Sequence, residues 1–132
     1  MLDFFSMILI SFYHRFVGNP GHGSRFIENT AGAKVHHLMN KLLGFREEQK
    51  KIYEADESLT LGDVTTVNLT YMSGGVQMNV VPNEFTVGFD IRITPTTNMT
   101  EFEARVSLQI TKLSNSSFWS CNVQFKDDLF LV

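Results

Sequence analysis

The segment Glu84–Ile93 alternates polar and apolar residues without a break, and this pattern constrains the fold more than any other feature of the sequence. Because successive side chains of a β-strand point to opposite faces, such a segment forms a strand with one face in a core. Its apolar set is Phe85, Val87, Phe89, Ile91 and Ile93, and its polar set includes Asp90 and Arg92. The chain is therefore expected to contain a sheet that is covered on one face.

Three other segments are predicted to be strands, and they comprise residues 8–17, 65–72 and 119–125. In the second of them, Val67, Leu69 and Tyr71 are expected to share the core face. Residues 18–24, which include three glycines and a proline, are predicted to form an irregular, flexible loop.

Two helices are predicted from apolar residues at helical spacing. The first follows a cap at Asn29 or Thr30, and the second follows the capping box Thr100-x-x-Glu103. The apolar stripes are Val35, Leu38, Met39 and Leu42 in the first helix and Phe102, Val106, Ile110 and Leu113 in the second. The order βαββαβ predicts an α+β, ferredoxin-like fold, with a four-stranded antiparallel sheet and both helices on one face.

The composition is that of one folding unit, since 132 residues with 43% hydrophobic content can bury a single core. Fourteen acidic and eleven basic residues leave a net charge of -3, which disfavours nucleic acid and anionic membranes as partners. The single cysteine, Cys121, cannot form an internal disulfide and fits a reducing compartment, so a cytoplasmic location is expected.

The apolar N-terminal segment, residues 2–17, can be interpreted as a strand or as a targeting segment. It lacks a basic n-region and an A-x-A cleavage site, and it is too short to span a bilayer. A strand is therefore the favoured interpretation.

Four histidines are candidates for chemistry, and three of them are poorly placed for it. His36 and His37 point about 100° apart on the first helix, so they do not form a shared metal site. His14 has no carboxylate or histidine at a ligand-like spacing. The glycines on both sides of His22 are expected to keep its ring outside the core, where an imidazole suits proton or oxyanion chemistry. Functional and structural roles of His22 stay equally open on this basis.

No complete metal or nucleophile motif occurs, because H-E-x-x-H, H-x-D, C-x-x-C, Walker and G-x-S-x-G patterns are all missing from the sequence. Metal-assisted hydrolysis requires about three or more ligands and a general base at one point. No cofactor or metal is therefore expected in this chain.

Several short motifs occur in a specific combination. They are GNPGHGSRFIENTA at 18–31, TVNLT at 66–70 with GGV at 74–76, NVVP at 79–82 and FDIR at 89–92. Together they resemble the lid and dimerisation domain of the aminoacylases. Two-zinc carboxypeptidases, desuccinylases and acetylornithine deacetylases share the Gly-His-x-Ser, Asn-x-x-Pro and Asp-x-Arg landmarks, whereas residues 24–31 are similar to aminoacylases specifically.

The resemblance implies roles for three residues. His22 would stabilise the tetrahedral oxyanion in the active site of a partner subunit, Asn79 would help to hold the substrate, and Arg92 would bind its α-carboxylate. These residue types suit the roles, since an imidazole N–H can meet developing negative charge and a guanidinium binds a carboxylate in a fork.

The implied function is that of the dimerisation and substrate-covering domain of a zinc-dependent aminoacylase, which hydrolyses N-acyl-L-amino acids to a carboxylate and a free amino acid. The family holds zinc and the catalytic glutamate in a separate catalytic domain, so this chain alone is not expected to be active. The implied partners are a second copy or a catalytic domain, together with the N-acyl amino acid substrate.

The resemblance divides the chain into three parts. Residues 1–17 match poorly and are expected to supply the first strand, residues 18–125 form the lid domain, and residues 126–132 form a truncated tail. A non-catalytic dimerisation or interaction module stays open as the alternative function. An RNA-binding βαββαβ domain is disfavoured, because the aromatic RNP pattern and a basic surface are missing.

Overall fold

The computed structural model describes residues 8–111 and 126–127 and shows a mixed α/β architecture with an antiparallel sheet and two helices. The predicted combination of an antiparallel sheet with two helices is thus confirmed. The elements in chain order are β1 (Ile8–Val17), β2 (Gly21–His22), α1 (Ala31–Ala55), β3 (Thr66–Gly74), β4 (Val80–Val81), β5 (Glu84–Ile93), α2 (Met99–Thr111) and β6 (Lys126–Asp127). Among the described residues, neither helix combines the length and apolar character needed to cross a membrane.

The main sheet has the strand order β3-β5-β1-β6, and each neighbouring pair is antiparallel. The central strands β1 and β5 pair along their whole length, with Ile8 opposite Ile93 and Val17 opposite Glu84. β6 contributes two residues beside β1. The predicted last strand, residues 119–125, lies outside the described residues.

One face of this sheet and both helices enclose a single apolar core. Residues of β1, β3, β5, α1 and α2 contribute to it, and the largest fully buried side chains are Phe12, Phe16, Phe89, Ile10, Leu38, Ile91, Ile93, Val67 and Val87. Burial of each such side chain contributes roughly 1.5–3 kcal/mol. The predicted stripe of α1 is confirmed, because Val35, Leu38 and Leu42 are buried and Met39 packs against the same core.

Helix α1 begins at Ala31, and Thr30, one of the two predicted caps, is its N-cap. The Thr30 side-chain oxygen accepts a hydrogen bond from the Ala33 N–H at 3.1 Å, which satisfies one of the unpaired donors of the first turn. Asn29 before it has a φ of 55°, a left-handed conformation that asparagine tolerates better than most residues. The helix continues to Ala55, and its last residues are exposed, as expected from their charge.

Helix α2 begins two residues earlier than its predicted capping box. The Asn98 side-chain oxygen accepts a hydrogen bond from the Glu101 N–H at 3.2 Å, so Asn98 is the cap. Thr100 lies inside the first turn, and the prediction of a Thr100-x-x-Glu103 box is wrong. Phe102 is buried on this helix as predicted.

A β-bulge in β3 changes the face on which Tyr71 lies. Leu69 is opposite Phe89, but Tyr71 is opposite Gly88, which belongs to the uncovered face of β5. Tyr71 is therefore 49% exposed, and its ring lies 5.9 Å from that of Tyr13 on the same face. A Cβ at residue 88 would approach the Tyr71 Cβ to 3.0 Å, so glycine leaves room for this pair. The prediction that Tyr71 shares the core face is wrong, because a single extra residue inverts the alternation.

His14 lies on the core face of β1 with only 3% of its surface exposed. Its ring meets the Phe16 ring edge to face, with a centroid distance of 4.5 Å. Burial disfavours the imidazolium and holds the pKa of His14 below its ordinary value of 6.5.

Because of His14, the free energy of unfolding is expected to fall as the pH drops below about 6.5, the ordinary pKa of histidine. Below that value the unfolded chain binds a proton that the folded chain resists, whereas above it both states carry a neutral ring. Urea unfolding at several pH values should show this loss, with a slope of at most about 1.4 kcal/mol per pH unit. His14→Phe should flatten the profile and His36→Ala, on the exposed side of α1, should not; an unchanged profile in His14→Phe would refute the assignment.

Candidate functional site

A two-stranded ribbon extends from the end of the central β1–β5 pair. In it β2 pairs with β4, with His22 opposite Val80, and the Gly23 N–H donates a hydrogen bond to the Asn79 carbonyl oxygen at 2.8 Å. This paired ribbon occupies the middle of the segment 18–24, for which the sequence predicts an irregular loop. The pairing brings His22 and Asn79 to adjacent positions on the two arms of the ribbon.

The loop that carries β2 is closed at its base. The Asn19 backbone N–H donates to the Asn29 carbonyl oxygen at 3.0 Å, and the Asn19 side-chain amide donates to the Glu28 carbonyl oxygen at 2.9 Å. A Cβ at residue 18 would lie 2.1 Å from the Ala31 nitrogen, so glycine is required where the loop meets α1. The ribbon is therefore anchored to the start of α1 through backbone contacts.

The His22 ring is exposed and is held by Ser24. The Ser24 backbone N–H donates a hydrogen bond to His22 Nδ1 at 3.2 Å, and the Ser24 hydroxyl lies 2.7 Å from the same nitrogen. The Arg25 N–H donates to the His22 carbonyl oxygen at 3.1 Å and closes the turn. Ser24 is not among the predicted site residues, although a hydroxyl two positions after a histidine in a glycine-rich turn is a signal that could have identified it.

Asn79 is exposed, and its side-chain amide has no hydrogen-bond partner among the described residues. Two apolar side chains close to the ribbon in sequence are fully exposed. Met78, directly before Asn79, is 105% exposed, and Phe26, four residues after His22, is 104% exposed. The ribbon thus presents a histidine, an amide and apolar side chains to its surroundings. Such a surface can contact a ligand through both hydrogen bonds and apolar contacts.

Arg92 lies far from the ribbon, on the uncovered face near the other end of β5. It is eight positions along the strand from Glu84, which corresponds to about 26 Å. Its Nε and Nη2 donate to the two Asp90 carboxylate oxygens at 3.2 and 3.4 Å, so three of its five N–H groups are available to another acceptor. The structure therefore brings together two of the three predicted site residues and separates the third from them.

Metal ligands are not clustered in the part of the chain that the structure describes. No group of three or more His, Cys, Asp or Glu side chains there is placed to hold an ion. A cleft of about 270 Å³ lies where α1, α2 and the end of β5 meet, with Phe45, Thr94 and Phe102 among its lining residues. None of the three candidate site residues lines this cleft.

Strand β3 is an edge of the main sheet, and its sequence is unusual for an edge. Residues 64–83, which include β3 and β4, contain no charged side chain. The exposed apolar residues in this stretch are Tyr71, Met72, Val76 and Met78. Edge strands of monomeric proteins are commonly protected by charges or proline, so this edge is suited to pairing with another strand.

Comparison with known proteins places these features in a family. Residues 8–116 match a family model described as the peptidase dimerisation domain. Aminoacylase-1A of Rattus norvegicus is 46% identical over 89 residues, which cover 67% of this chain and 22% of that protein. Aminoacylase-1 of Homo sapiens is 42% identical over the same length and coverage. The chain thus spans 22% of the length of these curated relatives.

Solved structures share the fold at low sequence identity. A putative amidohydrolase/peptidase from Burkholderia cenocepacia has a TM-score of 0.62 at 10% identity, covering 82% of this chain and 25% of that one. The aminobenzoyl-glutamate utilization protein from Klebsiella pneumoniae has a TM-score of 0.56 at 18% identity, covering 83% of this chain and 25% of that one. Both enlarge the group of proteins that contain this fold within a longer chain.

Proposed function

The chain belongs to the peptidase dimerisation domain family and is aminoacylase-like within it; on that premise we propose that it is the dimerisation and substrate-covering domain of a zinc-dependent aminoacylase. The observation that carries the proposal is the ribbon, whose backbone pairing holds His22 and Asn79 at neighbouring positions beyond the end of the sheet. Both side chains are exposed in this chain and can therefore reach into an active site formed by another domain.

The chemistry of the ribbon matches one step of amide hydrolysis. When water attacks the acyl carbon of an N-acyl-L-amino acid, the carbonyl oxygen becomes an oxyanion, and a prepositioned N–H donor stabilises it. His22 supplies this donor. Asn79 holds the substrate through its side-chain amide, which can donate and accept hydrogen bonds.

Arg92 is proposed to bind the α-carboxylate of the substrate. Its distance from the ribbon determines whether Arg92 and His22 of one chain can act in the same active site of a dimer. An N-acetyl amino acid is about as long as two extended residues, roughly 7 Å, whereas about 26 Å of strand separates Arg92 from Glu84, the end of β5 from which the ribbon with His22 extends. One substrate cannot contact both residues of the same chain. In a two-fold symmetric dimer, each site takes His22 and Asn79 from one copy and Arg92 from the other.

Zinc and the general base are assigned to another part of the longer protein. The described residues do not fit a zinc site, which requires three or four converging ligands. When bound in the catalytic domain, the metal would polarise the scissile carbonyl and activate water. This chain contributes substrate contacts and oxyanion stabilisation, and it is inactive on its own.

The strand order supports a ferredoxin-like βαββαβ topology. We propose that residues 18–125 form the lid domain and that β1, which precedes them at Ile8–Val17, supplies the first strand of its sheet. In this arrangement β3 is an outer strand, and we propose that it forms the dimer contact. Pairing of β3 with its symmetry mate would extend the sheet across the two-fold axis and cover the charge-free stretch 64–83.

Replacing Met72 with lysine is expected to weaken self-association of the chain by about tenfold or more in Kd, because it places a charge from each copy in the new strand pair. Sedimentation equilibrium over a range of concentrations measures the constant. Leu108→Lys on α2 is a matched control, since Leu108 and Met72 are 52% and 53% exposed. Equal weakening by both variants, or a wild-type chain that stays monomeric at high micromolar concentration, would refute the proposed β3 contact.

A further inference from the structure

We propose that Ser24 is a positioning residue that sets the tautomer and the ring orientation of His22, an inference that rests on the proposed role of His22 as an oxyanion donor. The observation behind it is that two groups of one residue converge on one ring nitrogen. The Ser24 N–H and hydroxyl oxygen lie 3.2 and 2.7 Å from His22 Nδ1.

The backbone N–H determines the tautomer. It can only donate, so Nδ1 must offer a lone pair, and a neutral imidazole then carries its proton on Nε2. The opposite tautomer would direct two N–H groups at each other. Ser24 therefore leaves His22 with an N–H donor at Nε2, the ring nitrogen that Ser24 does not engage.

The hydroxyl determines the orientation of the ring. His22 is exposed, so packing does not hold its side chain, and an unrestrained ring would lose rotamer freedom on engaging the oxyanion. The hydroxyl can rotate to donate towards Nδ1 as well, so that it shares the single lone pair of that nitrogen with the Ser24 N–H. The backbone of Ser24 lies within a turn that the hydrogen bond from the Arg25 N–H closes. A hydrogen bond from the Gly23 N–H attaches the same turn to Asn79. The ring is thus held from a rigid support before substrate arrives.

Nitrogen-15 NMR of the histidine rings in the 132-residue chain tests this inference without substrate or metal. In the neutral form of its ring, His22 is expected to show a pyridine-type Nδ1 and a pyrrole-type Nε2. Ser24→Ala should keep this tautomer, because the backbone N–H remains, but should move the Nδ1 resonance towards that of a nitrogen with fewer hydrogen bonds. Ser24→Thr retains a hydroxyl and should restore the wild-type resonance. The exposed His36 on α1 serves as the internal control.

Two NMR results would overturn the inference: a protonated Nδ1 in the wild-type chain, or an Nδ1 resonance that Ser24→Ala leaves unchanged. Neither depends on activity, so they are distinct from failure of the oxyanion role, which would appear as normal kcat in a His22→Ala enzyme. In the complete enzyme, Ser24→Ala should lower kcat about tenfold with KM nearly unchanged, and Ser24→Thr should restore it. A Ser24→Ala enzyme with normal kcat would overturn the positioning role.

Discussion

Replacement of His22 by alanine, in an enzyme that joins this domain to the proposed metal-binding domain, is expected to lower kcat about 10²- to 10³-fold with little change in KM. The oxyanion that His22 is proposed to stabilise exists only as the tetrahedral state forms, so its N–H should contribute little to binding of the substrate itself. The expected loss corresponds to roughly 3–4 kcal/mol of transition-state stabilisation, typical of one missing donor.

Steady-state kinetics with N-acetyl amino acids provide the measurement, and His36→Ala is the matched control because it removes an exposed imidazole from α1. A large rise in KM with normal kcat would mean that His22 binds the ground state of the substrate. Normal values of both constants would favour the alternative that the domain is a non-catalytic dimerisation module.

The main elements of this fold were predictable because they depend on local periodicity. The alternation in Glu84–Ile93 predicts a central strand, and Val35, Leu38 and Leu42 predict the buried side of α1, because both patterns depend on the geometry of one element. Tyr71 was not predictable, since the bulge before it is defined by pairing with β5. The sequence does not identify the cap of α2, because Asn98 and Thr100 are both good cap residues and only the backbone path distinguishes them.

The candidate site was predictable in its residue types and not in its geometry. The motifs identify His22, Asn79 and Arg92, and their roles are proposals that rest on resemblance. Their distances depend on the pairing of β1 with β5 and of β2 with β4, which joins residues far apart in sequence. The absence of charge from residues 64–83 is visible in the sequence, but its meaning depends on β3 being an edge strand.

The second large effect is expected from removing the guanidinium of Arg92, which is proposed to bind the α-carboxylate of the substrate. Arg92→Ala should raise KM about 10- to 100-fold for substrates with a free α-carboxylate, because charged hydrogen bonds contribute about 1.5–3 kcal/mol. Amides that lack the carboxylate should be affected much less. In each single-variant dimer both sites are defective, since every site lacks the same residue.

Mixing the His22→Ala and Arg92→Ala enzymes after subunit exchange tests the central claim most directly. A hybrid dimer then has one site with His22 from one copy and Arg92 from the other, and a second site that lacks both. Since equimolar exchange makes about half of the dimers hybrid, the rate at low substrate should recover to about a quarter of the wild-type value. If the mixture shows only the summed activity of the separate variants, despite hybrids confirmed by mass spectrometry, the two residues do not serve opposite sites and the proposed arrangement is wrong.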